Sequence, residues 1–509
     1  MTDDSRPVAT DPAVAQFAAH SVVNILAGGA SGLASLAIVV LVARARGPAG
    51  AGAFFVAMAA FTILSNACEL GADTGLLRSI PHDLASDDPT RIAWTLRIAL
   101  VPPMVFTCMT AIALALAAAP ISDIVASGAE HHEVASILRA VVLFLPFSVA
   151  ATILLAATRA FGTMAPTVRI DRLLRPACQC LLVAGAAGRG GYLLGVAFGA
   201  PFVVAAVLAW IAVRRAVDEH GVRGAPPDAT KRTALAVEFW SFAAPRALSA
   251  FAQIGVDKID VLMVGALAST AAAGVYSAAT RFAIAGLIGA TAVMQAMQPV
   301  LTRRLVQRDF DGASRLCQAA TAWTVLVSWP VYGSLAFLAG VVLRVFGHGF
   351  AGGADALVIV SIGMMVGTGI GPAEVTLLMA GGSRRALANT SAALAVNIAL
   401  NIVLIPRLGI AGAAWAWAIS IAITNAAAVV QVKALLGFHS FSSLWARAAL
   451  TVLGCFALGA AVTEAVRPSG LGRIAVFASV GLPAYALAVW CQRRALQLST
   501  LRASGQNVT

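Results

Sequence analysis

Charge is scarce in this sequence: Asp, Glu, Lys and Arg make up 11% of the 509 residues, and lysine occurs only at Lys231, Lys258 and Lys433. Soluble domains carry roughly a quarter charged residues. A chain that is 60% hydrophobic, with a mean hydropathy of +0.86, would leave more apolar surface in water than a core of its size can hide. A bilayer offers an apolar exterior and asks for no polar groups there. Cysteine is scarce too: the seven, Cys68, Cys108, Cys178, Cys180, Cys317, Cys455 and Cys491, all fall in or at the edge of apolar segments and none sits in an extended polar loop, which argues against a disulfide framework. Cys178 and Cys180 diverge on a helix and no His or acid completes a ligand set beside them, so neither a metal nor another cofactor is expected. None of the lysines follows a phosphate-loop glycine pattern, which removes ATP as the direct energy source.

What the chain has is long apolar runs. A helix crossing the bilayer needs about twenty largely apolar residues at 1.5 Å each. That criterion predicts spans near 17–43, 50–72, 93–118, 136–158, 173–188, 191–213, 238–266, 273–301, 316–346, 355–381, 385–406, 409–435, 444–465 and 472–492. The first run is longer than a signal-peptide core, so it is expected to remain as a span. The runs lack period-two alternation, and open sheet at this depth would strand backbone groups in hydrocarbon, so the fold class is an all-α polytopic membrane protein with about fourteen transmembrane helices.

The net charge of +12 does not point to nucleic acid, because the cations sit between apolar blocks and not on one soluble face. They sort by side. Arg6, Arg78, Arg91, the Arg159 to Arg175 group, the Arg214 to Arg232 group, the Arg303 to Arg315 group, Arg384, Arg385, Lys433, Arg447, Arg493, Arg494 and Arg502 share one side. The other side holds only Arg44, Arg46, Arg139, Arg189, Arg344, Arg407, Arg467 and Arg473. Retained cations mark the cytoplasmic side, which puts both termini there. The predicted organisation is an N-lobe over 1–213, a cytoplasmic linker over 214–236 containing Pro226 and Pro227, a C-lobe over 237–437, and two further spans with a tail over 438–509.

The lobes resemble each other in sequence. LVARARGPAGAGAFFVAMAA, Leu41 to Ala60, aligns without gaps with LMVGALASTAAAGVYSAATR, Leu262 to Arg281, when shifted by one position, so that Gly52 falls on Gly274, Phe54 on Tyr276 and Ala57 on Ala279. A third copy, IPRLGIAGAAWAWA from Ile405 to Ala418, keeps a glycine turn at Gly409 and Gly412 and an aromatic residue at Trp415. Repeated bundles of this kind are the usual construction of carriers that alternate between two openings.

Charges at a helix centre cost about 2.5–3.5 kcal/mol each, so the few within spans are expected to face an interior or a watery cavity. They are Arg246, Asp257, Lys258 and Asp260 in the seventh span, Arg281 in the eighth and Glu374 in the tenth. Asp260 and Arg281 lie equally far from the turn between their spans, roughly 15 Å along each helix, which allows them to pair directly, either as a structural clamp or as part of a charged cavity wall. Arg246, about two turns in, can equally snorkel to the surface. The tenth span reads GMMVGTGIGPAE from Gly363 to Glu374, and its glycines and Pro372 are expected to break the helix beside Glu374, either for close packing or to expose carbonyls to a cation. Asn389, Asn397 and Asn401 share one helical face, with Gln295, Gln298, Asn24, Ser31 and Ser35 as further inward polar positions suited to interhelical hydrogen bonds or to a sugar. The Glu130, His131, His132 and Glu133 cluster reads as a solvated membrane-surface helix, and the Arg159, Arg169, Arg172 and Arg175 group as topology-setting cations able to attract lipid headgroups.

AGAGAFFVAMAAFTILSNACELGADTGLLRSIP, Ala49 to Pro81, resembles the signature of bacterial polysaccharide flippases, the polysaccharide-transporter branch of the multidrug/oligosaccharidyl-lipid/polysaccharide exporter superfamily. DKIDVLMVGALASTAAAGVYSAATRF, Asp257 to Phe282, resembles the matching hairpin of the same family. The resemblance implies two six-helix lobes in a V around a central cationic cavity, two extra C-terminal helices, and outward movement of polyprenyl-pyrophosphate-linked oligosaccharides by alternating access coupled to H+ or Na+. On matching positions it implies Arg281 and the Asp257/Lys258 pair as cavity candidates, with Lys258 and Arg281 binding substrate, and Glu69, Asp73 and Arg78 as a gate or lobe-closing set; the polar residues within spans add Arg246, Asn397 and Asn401 as substrate-binding candidates and Asp260 and Glu374, with Asp257, as coupling candidates. In the first span, where related lipid II flippases carry cations, this sequence has only His20 and Asn24. A drug or metabolite antiporter of the same superfamily is the second reading, and a membrane glycosyltransferase, ligase or polymerase a third, which the short external connections disfavour. The reading is of a non-enzyme in the bacterial cytoplasmic membrane, surrounded by membrane lipids and working beside other polysaccharide-assembly proteins.

Overall fold

The computed structural model describes residues 12–85, 89–126, 130–221 and 228–493, and among these the chain is all helical. Arg6, Arg223, Pro226, Pro227, Arg494 and Arg502 lie outside the described residues, as do the side chains of His20 and Asn24.

The first helix, α1, runs Pro12–Cys68, 57 residues or about 85 Å, far more than one bilayer thickness. It breaks at Gly47, whose φ of 64° and ψ of −172° only glycine adopts without strain. The N-terminal half continues through α2 (Ala72–Ala85), α3 (Pro89–Val125), α4 (His131–Val142), α5 (Leu145–Ala160), a π-helical stretch (Thr167–Leu174), α6 (Arg175–Ala186), α7 (Gly191–Gly199) and α8 (Pro201–Glu219). The second half comprises α9 (Ala229–Leu267), α10 (Thr270–Arg281), α11 (Ala283–Val306), α12 (Phe310–Phe337), α13 (Ala339–Val342), α14 (Ala354–Ile370), α15 (Ala373–Met379), α16 (Ser383–Leu408) and α17 (Ile410–Leu436). It is followed by α18 (Ser443–Val466) and α19 (Leu471–Gln492).

Eight stretches are long and apolar enough to cross a bilayer, and up to eleven when each of three bent helix pairs is taken as one span. Dividing α1 at Gly47 and adding two elements that polarity disguises accounts for the remaining traverses. The first is α9, 39 residues long but with Asp257, Lys258 and Asp260 within four positions. The second is the π-helical stretch of 8 residues joined to the 12 of α6, with Arg169, Arg172 and Arg175. Much of the expected linker over 214–236 is helix: α8 runs on to Glu219 and α9 starts at Ala229.

Bent spans leave backbone carbonyls without their usual helical donors, and in hydrocarbon each such group costs several kcal/mol unless another donor reaches it. Here side chains from neighbouring helices supply those donors. The tenth span breaks as expected, at Gly371 (φ +80°) and Pro372, and the Trp445 indole of α18 donates to the Gly369 carbonyl at 2.9 Å. Pro330 lacks the N–H that would bond the Leu326 carbonyl, and the Tyr485 hydroxyl of α19 donates there at 2.6 Å. The Tyr332 hydroxyl donates to Ala283 O at 2.9 Å, and Ser328 Oγ donates to Gly286 O at 3.0 Å, where α10 bends into α11. The extra C-terminal pair is therefore tied to α12 and α14 through the weak points of those spans.

Candidate functional site: a cationic cavity between the lobes

A cavity of about 420 Å³ lies between the two halves. The N-terminal wall presents Ser31 and Ser35 from the first limb of α1, Phe54, Phe55 and Thr62 from its second limb, and Arg175 and Gln179 from α6. The facing wall presents Asp257, Lys258 and Asp260 from α9, Tyr276, Thr280 and Arg281 from α10, and Trp417 from α17. Arg175, Lys258 and Arg281 are the cations of this lining, against the carboxylates of Asp257 and Asp260.

Asp260 is turned away from the cations. It is 2% exposed and accepts from the Tyr276 hydroxyl at 3.0 Å and from Asn401 Nδ2 at 2.7 Å, and Asn401 Nδ2 also reaches Asn397 Oδ1 at 3.0 Å. The sequence-derived pairing of Asp260 with Arg281 is thus not formed among the described residues. Equal distance from the turn fixes height along the helices but not azimuth, and the azimuth of Asp260 points to α16. Asn397 and Asn401, taken from sequence as substrate contacts, are both fully buried behind this wall and outside the cavity lining. Among the described residues, no hydrogen-bond partner reaches the buried Nδ2 of Asn397 or Oδ1 of Asn401. Asn389, further along the same face, makes a reciprocal amide pair with Gln431 of α17, at 3.0 and 2.8 Å.

The lobes meet at both ends of the cavity. At the end where the repeat turns lie, the second limb of α1 crosses α10 with backbones in contact. A Cβ on Gly52 would lie 1.8 Å from the Thr270 carbonyl oxygen, and one on Gly274 would lie 2.1 Å from that of Pro48. Gly52 and Gly274 are equivalent in the repeat, as are Pro48 and Thr270, so the crossing is two-fold symmetric in sequence as well as in space. Arg44 Nε donates to Val345 O at 2.8 Å beside it.

At the other end, the arginine-rich one, α2 and α3 meet the first half of α9. Gly71 and Gly75 allow α2 to approach Ala243 and the Phe239 ring. Arg91 donates through Nε to Asp83 at 2.6 Å and through Nη2 to Glu238 on α9 at 2.8 Å, while Thr95 donates to the other oxygen of Asp83 at 2.9 Å. Arg232 of α9 stacks on Trp94, and Arg78 of α2 lies 4.4 Å from the Phe242 ring centre, with Arg246 at 5.6 Å from the same ring. From Ala243 to Ala268 the chain advances 25 positions, roughly 37 Å along α9, so the two closures are on opposite sides of the charged cavity. The arms of the expected V meet at both ends.

The candidate residues therefore divide. Asp257, Asp260, Lys258 and Arg281 line the cavity. Arg78 and Arg246 belong to the arginine-rich closure, and Arg246 is exposed there, so the structure does not bring it to the cavity as a substrate contact. Glu69 sits within electrostatic reach of Asp73 and Arg159, near Thr152, on the N-lobe side of that closure. Glu374 stands half-buried just past the Gly371 break, outside the cavity lining, and the nearby Met365 and Gly369 carbonyls are occupied by the indoles of Trp329 and Trp445, so they do not form an open cation cage. Glu133 pairs with Arg46. Sequence reasoning missed Arg175, which it assigned to topology, and the Arg91–Glu238 bridge. The π-helical register ahead of Arg175 is not visible in periodicity, and Glu238 lies 147 positions from Arg91.

The family model for polysaccharide biosynthesis proteins matches residues 17–304, more than half of the chain. The chain belongs to that family. No curated protein matches it by sequence. Among solved structures, it is similar to "Lipid II flippase MurJ, inward closed conformation", at 13% identity and a TM-score of 0.73, covering 92% of this chain and 99% of that one. It is also similar to the inward-facing conformation of a multidrug resistance MATE family transporter of the MOP superfamily, at 14% identity and a TM-score of 0.64, covering 80% and 94%. A MATE structure in the bent conformation follows at 14% identity and 0.56, covering 82% and 94%. The family member thus shares the all-helical fold of these structures.

Proposed function

We propose that this protein is a flippase that carries a polyprenyl-pyrophosphate-linked oligosaccharide across the bacterial cytoplasmic membrane by alternating access, with its arginine-rich end and both termini in the cytoplasm. The observation that carries this reading is the cavity: cations from both lobes, Arg175 on one side and Lys258 and Arg281 on the other, face a space that is closed at two separate ends by contacts between repeats. Arg175 is ion-paired with Asp171, but Lys258 and Arg281 make no salt bridge among the described residues, and such cations in a low-dielectric interior are costly and attract an anion. A pyrophosphate supplies that anion, while the polyprenyl tail stays in lipid and needs no room inside. A cavity of about 420 Å³ is within the range of small-ligand sites, so the oligosaccharide needs one end to open before it enters.

Ion coupling by H+ or Na+ is assigned to the second layer. Asp260 supplies a carboxylate, and the unpartnered buried Oδ1 of Asn401 supplies an oxygen beside it. A site at the back of the cavity wall, turned toward Asn401 and on the same helix as Lys258, can bias the lobes while the cations hold the substrate. Energy then comes from an ion gradient, and the chain performs no bond chemistry. Partners are the lipid-linked oligosaccharide, membrane lipids and other polysaccharide-assembly proteins.

The test is reconstitution in liposomes with a fluorescent polyprenyl-pyrophosphate sugar. Flipping is expected in the wild type, with a loss of about tenfold or more in Arg281→Ala at equal membrane abundance. Asp260→Asn is expected to remove acceleration by an imposed proton or sodium gradient while slow flipping persists. Efflux of drugs or metabolites without flipping would establish the antiporter reading instead.

A further inference from the structure

The first limb of α1 contains no lysine or arginine before Arg44, yet the N-terminal wall of the cavity is not without charge. Gly28 lies close to the π-helical stretch, since a Cβ there would come within 3.3 Å of the Arg172 guanidinium, and Ser31 and Ser35 of the same limb line the cavity. Arg175, the first residue of α6 after the π-helical stretch, lines the cavity beside Ser31 and Ser35.

Its guanidinium is held on three sides. Nε donates to Asp171 Oδ1 at 2.8 Å, Nη1 donates to Gln179 Oε1 at 3.1 Å, and the plane lies 5.0 Å from the Phe202 ring centre. Gln179 is itself fixed, 3% exposed and donating to the Phe198 carbonyl at 3.0 Å. These bonds leave Nη2 with no protein partner among the described residues. A planar guanidinium whose Nε and Nη1 are anchored and whose Nη2 is free is suited to receiving a phosphate oxygen at Nη2 with little further loss of side-chain freedom.

We infer that Arg175 is the N-lobe anchor for the pyrophosphate group, replacing cations that the first span lacks, and that it works opposite Lys258 and Arg281. This rests on the flippase reading and deepens it. An anion held by both walls ties the lobes together around the loaded cavity, which a neutral lipid alcohol or a free sugar cannot do. Recognition of the charged link between lipid and sugar is then shared between halves of the molecule.

The test is binding of geranylgeranyl pyrophosphate to purified protein in nanodiscs, with geranylgeraniol as the uncharged control. Wild type should bind the pyrophosphate more tightly than the alcohol. Arg175→Ala should weaken pyrophosphate binding about tenfold, leave alcohol binding unchanged, and be partly rescued in Arg175→Lys. Arg169→Ala, exposed on the same π-helical stretch, should bind as wild type does. Wild-type-like pyrophosphate binding in Arg175→Ala, with loss in Arg281→Ala, would overturn the role of Arg175 and leave the flippase reading standing. Absence of any preference for pyrophosphate in the wild type would overturn both. Equal unfolding temperatures of Arg175→Lys and wild type, measured in the same nanodiscs, separate lost binding from lost folding.

Discussion

The two closures of the cavity are made from different materials. At the repeat turns, helices meet backbone to backbone at Gly52 and Gly274, with no interlobe ion pair among the described residues. At the arginine-rich end, the helices meet through side chains: a guanidinium shared between two carboxylates, and cations laid on aromatic rings. Glycine crossings depend on close approach and respond little to salt, because dispersion and steric fit hold them. A partly exposed ion pair and cation–π contacts contribute about 0.2–1 kcal/mol each and weaken with ionic strength. One end behaves as a close-fitting joint, the other as an adjustable latch.

Substitution can break this contrast at either end. Gly52→Leu should have the largest effect, since a side chain cannot occupy a site where the first carbon already lies 1.8 Å from a carbonyl oxygen. Overpacking by about 3 kcal/mol or more should hold the turn end apart. A cysteine placed at Ser35 should then react with an impermeant maleimide added on that side more than about tenfold faster. An unchanged rate would show that the crossing is not a closure.

Arg91→Ala comes next. Among the described residues it leaves Asp83, 1% exposed, with Thr95 and the neighbouring His82 as partners. The expected cost is about 2 kcal/mol, discounted for the partial exposure of Arg91. It should appear both as a lower unfolding temperature and as faster labelling from the arginine-rich side. Glu238→Gln should be the mildest, because the Glu238 side chain is 59% exposed. About 0.5 kcal/mol, a two- to threefold change in labelling, is expected at low salt, vanishing near 1 M salt. The pair Arg91→Glu with Glu238→Arg restores the interlobe contact but leaves Asp83 facing a glutamate, so it should recover the salt dependence without recovering stability.

The same contrast explains what could be read from the chain before its fold was known. The glycine joint was legible because it is built from a repeat: the alignment of Gly52 with Gly274 needs no knowledge of contacts. The broken tenth span was legible because Gly371 and Pro372 act on their own helix. The latch was not, because Arg91 and Glu238 belong to different lobes and nothing local marks them as partners. The cavity was half legible. Charges at positions 257, 258 and 281 stand out against apolar neighbours, but the azimuth of Asp260 is decided by Asn401, 141 residues away. Arg175 was hidden for another reason: it ends a cluster of arginines whose ordinary explanation is membrane orientation, and the change of helical pitch just ahead of it decides which way it faces.

The last two helices are keyed into α12 and α14 where proline or glycine has bared a carbonyl, with Tyr485 on Leu326 and Trp445 on Gly369. A pair pinned inside its neighbours must travel with them as ballast. In the proposed rocking of the halves, more surrounding lipid is displaced on one flank than on the other, and a stiffer or thicker bilayer should resist the swing of the second half more than that of the first.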